Sequence, residues 1–364
     1  MKKTLIALAA LAATAGVAHA QSSVTLYGVA DAFIGQNVTK VSTGGTETKL
    51  SQGKIDGSGL SSSRWGMRGS EDLGGGLAAV FTLESGFDIS TGALANNGGS
   101  ASSTASVLFG RVASVGLKGS FGEVRLGRQY TAYDSLRGAT NNTYDSNTFA
   151  QTGTVWGTGI QDYSNRTNNS VRYDSPSFGG FSGAVVYGFG EDKTATASAS
   201  NSTSVHLKYA NGPLLVGYGY QREKETVGST MFLGATGGAA VGTPAVVADS
   251  RKYNLLGASY DFGVVKLVGS YNTAKNNTLK DKEYQIGLSV PFGAASVAMG
   301  YERAKSEGAG STNKGHGYSL LGTYDLSKRT TLYAGYINTK VESGTNASTT
   351  SKRTLLATGI RHTF

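Results

Sequence analysis

The chain has 364 residues, with 53 glycines, 19 tyrosines, 4 prolines and no cysteine, and its 33 basic residues outnumber 24 acidic ones for a formal charge of +9. The missing cysteines exclude a disulfide-stapled secreted scaffold, and glycine without a Gly-X-Y period excludes a collagen-like one. A basic surplus can mean nucleic acid, but no basic arm, zinc spacing or aromatic RNA-binding motif accompanies it, so no nucleic-acid partner is expected.

The first twenty residues, MKKTLIALAALAATAGVAHA, open on Lys2 and Lys3, run apolar, and close on Ala18-His19-Ala20. That is the pattern of a cleaved export signal, with an apolar run shorter than the ~20 residues of a membrane anchor. Residues 1–20 are therefore expected to be removed, leaving a single domain over 21–364. Without Lys2 and Lys3 the surplus falls to about +7, which suits either a solvated surface or a positively charged channel.

From Gln21 onward one theme repeats: about ten residues of alternation, then a short turn or a long polar stretch. Phe181, Gly183, Val185, Tyr187 and Phe189 alternate with Ser182, Ala184, Val186 and Gly188. Tyr284, Ile286, Leu288 and Val290 oppose Glu283, Gln285, Gly287 and Ser289. No helical period exceeds two turns. Short connections fall at 71–76, 120–123, 176–180, 211–213, 261–263, 291–294 and 325–329. Long polar ones fall near 39–60, 91–107, 131–168, 190–203, 224–250, 274–281, 303–314 and 339–350. Seven short and eight long connections join sixteen strands.

Short turns at one end and long loops at the other are the signature of a transmembrane β-barrel. A closed barrel gives every backbone N–H and C=O a partner inside a bilayer, and about 9–11 tilted residues cross it. A soluble β-sandwich also alternates, but it keeps loops short at both ends and has no use for tyrosines at strand ends, where a barrel places its interfacial girdle. The fold class read from the sequence is thus all-β, a 16-stranded antiparallel transmembrane barrel.

Within SSSRWGMRGSEDLGGG, residues 61–76, a strand puts Ser62, Arg64 and Arg68 on one face and Trp65 and Met67 on the other. In a barrel the Trp65 face meets lipid, because an arginine near the midplane costs about 2–4 kcal/mol. Arg64 and Arg68 then face water inside.

The last strand, RTLLATGIRHTF, ends on Phe364 with Leu356 and Ile360 on the same face. It resembles the assembly signal of Gram-negative outer-membrane proteins, with His362 where an aromatic is more usual. Together with VTLYGVADAF at 24–33, SRWGMRGSEDLGGGLAAVFTLESGF at 63–87, VGLKGSFGEVRLGRQY at 115–130 and NRTNNSVRYDSPSFGGFSGAVVYG at 165–188, it makes the chain similar to the general porin family of Gram-negative outer membranes, nearest the β-proteobacterial type. These blocks run in order along the whole chain beyond the export signal.

The resemblance implies an outer-membrane location, short periplasmic turns, long external loops and a third long loop folded inward to narrow the pore. It further implies a homotrimer surrounded by outer-membrane lipid and lipopolysaccharide, passing small hydrophilic or anionic solutes by passive diffusion with no cofactor. In the family's constriction a basic ladder faces carboxylates. Arg64, Arg68, Arg111 and Arg166 fall on the basic side. Glu84 on the third predicted strand, Asp134 and Asp145 in the inward loop, and Asp31 on the first strand's polar face are the acidic candidates. The inward loop lacks the paired-acid stretch of many enterobacterial porins, so the basic side should outweigh the acidic one and favour anions. The direction of Arg128, which shares a face with Val124 and Leu126, is left open by alternation.

Two other functions are weighed. A solute-specific uptake channel would need an aromatic track through the pore, which a sequence does not display. A barrel-borne hydrolase would need a nucleophile with a nearby base; His206, His316 and His362 sit on separate strands, and a structural role is expected for them. No metal-ligand spacing, phosphate-cradling loop or dinucleotide fingerprint is present.

Overall fold

The computed structural model describes residues 23–95, 107–141, 148–150, 155–157, 159–160, 162–225, 249–308, 311–344 and 348–364. The export signal expected over 1–20, the site candidate Asp145 and parts of the long loops lie outside them.

Among the described residues, seventeen strands form one antiparallel sheet that closes on itself. In chain order β1 (Ser23–Thr43), β2 (Thr46–Gly57), β3 (Arg64–Gly74), β4 (Leu77–Gly86), β5 (Val112–Gly119) and β6 (Gly122–Tyr130) precede the helix α1 (Ala132–Ala139). After it come β7 (Arg166–Asp174), β8 (Phe181–Phe189), β9 (Asn201–Asn211), β10 (Leu214–Glu225), β11 (Asp249–Asp261) and β12 (Lys266–Lys275). The wall ends with β13 (Leu279–Phe292), β14 (Ala295–Gly308), β15 (Ser311–Asp325), β16 (Thr330–Ser343) and β17 (Thr349–Thr363).

The seventeen segments occupy sixteen barrel positions. β3 pairs with the first part of β1, from Ser23↔Ser70 to Val29↔Arg64, and β2 pairs with the rest, from Ala32↔Gly57 to Thr43↔Thr46. They share one position, interrupted where residues 58–63 turn inward. β1 and β17 close the barrel from Val29↔Thr363 to Thr43↔Thr349. Gly28 N donates to Phe364 O at 3.0 Å and Phe364 N returns to Gly28 O at 3.1 Å. Gly28 is required there, since a Cβ would sit 2.3 Å from the Phe364 ring.

Alternation sorts the two faces as the sequence suggests. On β14 the outward Val297, Met299 and Tyr301 are exposed while the inward Ala298, Glu302 and Ala304 are buried. Outward residues elsewhere include Val115, Ile286 and Leu356, each exposed by 58–61%. A contiguous apolar belt of this kind does not survive in water, and it is the surface a barrel presents to lipid. Trp65 and Met67 lie on that side, Met67 opposite Leu26 and the Trp65 ring edge-on to Phe109 at 6.2 Å.

The seven short turns fall where the sequence places them. At the first, Gly74, Gly75 and Gly76 all take left-handed φ values (83°, 61° and 79°), which side chains disfavour. The other end differs from expectation. Four stretches read as long loops are largely continued ladder: β1–β2 runs out to Thr43↔Thr46, β12–β13 to Lys275↔Lys280, β14–β15 to Gly308↔Ser311 and β16–β17 to Ser343↔Thr349. Antiparallel pairing needs only backbone groups, so polar residues on both faces mark the exit from lipid, not the end of the strands.

Buried side chains concentrate inside the lumen. One cluster joins Tyr133, Leu136, Trp156, Ile160 and Tyr163 of the third long loop to Tyr253, Leu255 and Ala274 of the wall. A second joins Phe149 of the same loop to Phe33, Tyr333, Ile337 and Leu355. The third loop is therefore the core of the molecule.

Candidate pore constriction

The loop between Tyr130 and Arg166 enters the lumen through α1. Thr131 caps the helix by accepting from Asp134 N at 3.2 Å, and Asp134 in the first turn suits the positive end of the short helix. Tyr133 N donates to Ser204 Oγ at 2.8 Å, and the Tyr133 hydroxyl donates to Asn272. His206 Nδ1 lies 2.7 Å from Ala132 O. Gln285 Nε2 donates to Thr140 O at 2.7 Å. These contacts fix the helix against β9 to β13.

Beyond the helix, wall carboxylates anchor the loop's backbone. Gly157 N donates to Glu283 at 2.7 Å, Ile160 N to Asp281 at 2.8 Å and Ser164 N to Glu223 at 2.6 Å. All three acids are almost fully buried. Arg137 adds a bidentate bond to Asp162 at 2.9 and 2.7 Å, its guanidinium held between the rings of Trp156 (4.6 Å) and Tyr163 (4.7 Å). Thr148 then ties the loop to the 58–63 segment, its hydroxyl donating to Ser58 O at 2.8 Å.

With the loop packed on that wall, the lumenal face of β1 and β3 to β7 remains opposite it. Arg64, Arg111 and Glu84 meet there: Arg111 Nε donates to Glu84 at 2.7 Å, Arg64 Nε lies 3.5 Å from the other carboxylate oxygen, and the Tyr27 hydroxyl donates to it at 3.0 Å. Arg111 Nη2 donates to the Tyr130 hydroxyl at 2.6 Å, and Arg166 reaches the same hydroxyl while stacking on the Tyr130 ring at 4.1 Å. Three guanidiniums thus surround one carboxylate and one phenol. Arg64 is the most open, with 27% of its side chain exposed against 6% for Arg111. Arg111 Nη1 and Arg166 Nε are buried with no acceptor among the described residues, leaving donors unspent in the lining.

Several expectations need correction. Glu84 does not stand across the pore from the arginines; it sits between Arg64 and Arg111, because Gly66 and Glu84 are ladder partners on adjacent strands. Asp31 does not line the path. It is wholly buried and accepts from Gly59 N (3.0 Å), Leu60 N (2.8 Å), Ser61 N (2.8 Å) and the Tyr333 hydroxyl (2.6 Å), holding the inward segment in place. Arg68 points to the same face as Arg64 but stands apart and exposed, its guanidinium 5.2 Å from the Tyr27 ring. Asp134 faces the cluster from the loop and accepts from the Tyr163 hydroxyl at 2.6 Å. Burial pushes its carboxyl above the usual range, against the pull of that hydroxyl and of Arg166, Arg137 and Arg111.

Other lining groups escaped the sequence reading. Arg172 forms a two-bond pair with Asp174, at 2.7 Å each, and also donates to Tyr130 O at 2.9 Å. Arg125 pairs with Glu123, and the two strands match Arg125 with Arg172. Alternation alone puts Arg172 with Ser170, so this pair was readable. Arg128 is not among the lining groups: it stays on the face of Val124 and Leu126, laddered with Ala113, and bonds Gly110 O at 2.7 Å and Asn168 at 2.5 Å.

Comparison with known proteins agrees with this architecture. The family model described as Gram-negative porin matches residues 7–344. An outer membrane porin protein of Bordetella pertussis is 35% identical and outer membrane porin protein 32 of Delftia acidovorans 34% identical, each alignment covering 100% of both chains. The solved anion-selective porin from Comamonas acidovorans is 31% identical with a TM-score of 0.72, covering 94% of this chain and 100% of its own. A Salmonella typhi OmpF structure, at 17% identity and a TM-score of 0.64, shares the fold. The chain belongs to the Gram-negative porin family and is an outer-membrane channel for passive diffusion.

Proposed function

We propose that this channel prefers anions, and that the arginine cluster on the β1 and β3 to β7 side of the lumen sets the preference. One observation carries the reading. The carboxylates of the facing wall, Glu223, Asp281 and Glu283, are buried as acceptors for the loop's N–H groups, so a solute passes a lining in which guanidiniums dominate. Arginine keeps its charge at any working pH, and a narrow low-dielectric channel weights each uncompensated charge more than an open surface does. Likeness to the anion-selective Comamonas porin supports the same sign.

The protein acts as a channel rather than an enzyme, as a homotrimer in a membrane whose outer leaflet is lipopolysaccharide. Its loop end faces outward and its turn end, with both strand termini of the barrel seam, faces the periplasm. Residues 1–20 are the removed export signal. A neighbouring structure solved in trimer form supports the oligomer.

Planar-bilayer recording under a KCl gradient tests the selectivity. The reversal potential takes the sign of chloride preference and shrinks as salt screens the lining. Arg64→Ala with Arg166→Ala moves it toward potassium. A wild-type channel that prefers potassium, or a double variant with unchanged potential, removes the proposal.

A further inference from the structure

Two phenols reach the arginine cluster, and their hydrogen bonds run in opposite senses. The Tyr27 hydroxyl donates its proton to Glu84 at 3.0 Å. The Tyr130 hydroxyl accepts instead, from Arg111 Nη2 at 2.6 Å and from Arg166 Nη2. A phenol has one hydrogen to give. With its oxygen already accepting from two guanidiniums, Tyr130 keeps that hydrogen, and no described residue takes it.

The group is neutral, yet its setting makes it a strong donor. Each N–H aimed at the oxygen draws electron density from it and polarises the O–H bond, as linked hydrogen bonds strengthen one another. Water can accept that proton, but an anion accepts it better, since a hydrogen bond with one ionised partner is roughly twice as strong as a neutral one. The backbone keeps the half-buried ring from swinging away. Tyr130 ends β6, laddered to Arg166, and Arg172 Nη1 donates to its carbonyl at 2.9 Å. Its neighbour Thr131 donates from N to Asn165 O at 3.0 Å and caps α1. The Arg166 guanidinium covers the ring at 4.1 Å. The hydroxyl is thus held at the root of the third loop, beside the three arginines.

We propose that Tyr130 is a specificity-determining residue of the channel, its hydroxyl donating to each anion that reaches the arginines, so that anions of equal charge are sorted by how well they accept a hydrogen bond. The guanidiniums choose the sign of the ion through charge, which acts at a distance. The hydroxyl acts only in contact, and adds a preference for a strong acceptor such as chloride over a weak one such as perchlorate. The inference rests on the anion preference proposed above and deepens it.

The test uses the purified, folded protein in planar bilayers, with sodium chloride on one side and sodium perchlorate on the other. The cation is common, so the reversal potential gives the permeability of chloride relative to perchlorate. Tyr130→Phe should lower that ratio by about two- to fivefold, the range a net hydrogen bond of about 0.5–1 kcal/mol supplies. Tyr27→Phe removes a hydroxyl of the same cluster whose proton is already spent on Glu84, and should leave the ratio at its wild-type value. 4-Aminophenylalanine at position 130, a poor acceptor for the guanidiniums but again a donor, should restore it, which a merely structural role for the phenol would not produce. In a KCl gradient Tyr130→Phe should keep the chloride sign, because Arg64, Arg111 and Arg166 remain. A wild-type channel that prefers potassium overturns both this proposal and the anion reading. A wild type that prefers chloride overturns this proposal alone if Tyr130→Phe leaves the ratio unchanged, if Tyr27→Phe lowers it equally, if the amine fails to restore it, or if Tyr130→Phe loses the chloride sign.

Discussion

Asp31 offers the sharpest test of how the fold positions the pore lining. Its Oδ1 accepts from Gly59 N and the Tyr333 hydroxyl, and its Oδ2 from Leu60 N and Ser61 N. Asp31→Asn keeps the shape but turns one acceptor into a donor. If the amide nitrogen takes the Oδ2 place, two backbone N–H groups are orphaned. If it takes the Oδ1 place, the Tyr333 hydroxyl can rotate to accept, but Gly59 N–H cannot. At about 1–3 kcal/mol per orphaned buried donor, and with the charge-assisted bonds reduced to neutral ones, the loss is about 2–5 kcal/mol.

The same change should reach the channel. Ser62 O accepts from Arg64 Nη1 at 2.9 Å, so a loosened 58–63 segment loses one of the contacts that fix Arg64. Urea unfolding of the detergent-solubilised barrel, followed by tryptophan fluorescence, measures the first effect, and the reversal potential measures the second. Tyr333→Phe removes one donor only and should cost about 1 kcal/mol. In the double variant the two costs should fall short of their sum, because both remove one bond. An Asp31→Asn protein within ~0.5 kcal/mol of wild type, against an expected orphan cost several times larger, would refute the reasoning.

Three further outcomes are expected. Arg137→Met breaks a buried pair with Asp162 and should cost about 3–5 kcal/mol, with protease cleavage appearing in the third loop, whereas Arg137→Met with Asp162→Leu should recover much of it. Trp65→Arg, on the outer face, should impair barrel assembly by about 2–4 kcal/mol if it lies near the midplane, while Arg64→Ala leaves assembly intact; heat-modifiable gel migration separates them. A cysteine at Thr278 should label from outside intact cells and one at Lys328 only after the outer membrane is breached, and the reverse pattern would invert the topology.

What the sequence could and could not tell follows from the reach of each signal. Period-two alternation is local, so the faces of strands such as Phe181–Phe189 and the sixteen barrel positions were legible, as were the glycine-rich turns. The ends of strands were not, because the ladder beyond the lipid continues through residues polar on both sides. Arg64 and Arg68 could be put on the water side by parity, but parity says nothing of partners. Glu84 looked like a counter-charge across the pore only because its ladder neighbour, Gly66, carries no side chain to advertise the adjacency.

The acids of the far wall show the limit most clearly. Alternation places Glu283 on the polar face beside Gln285, which in a water-filled barrel reads as pore lining and weakens any case for anions. Its actual partner, Gly157 N, is 126 residues away in the chain, and Asp281 and Glu223 meet Ile160 and Ser164 over 121 and 59 residues. A loop folded into a barrel brings backbone donors that its own irregular path leaves unpaired, and each must find an acceptor or pay the desolvation penalty of a buried polar group. Wall carboxylates meet that demand, and in doing so they leave the lining. The pore's charge is therefore decided less by how many acids the barrel carries than by how many the inward loop consumes.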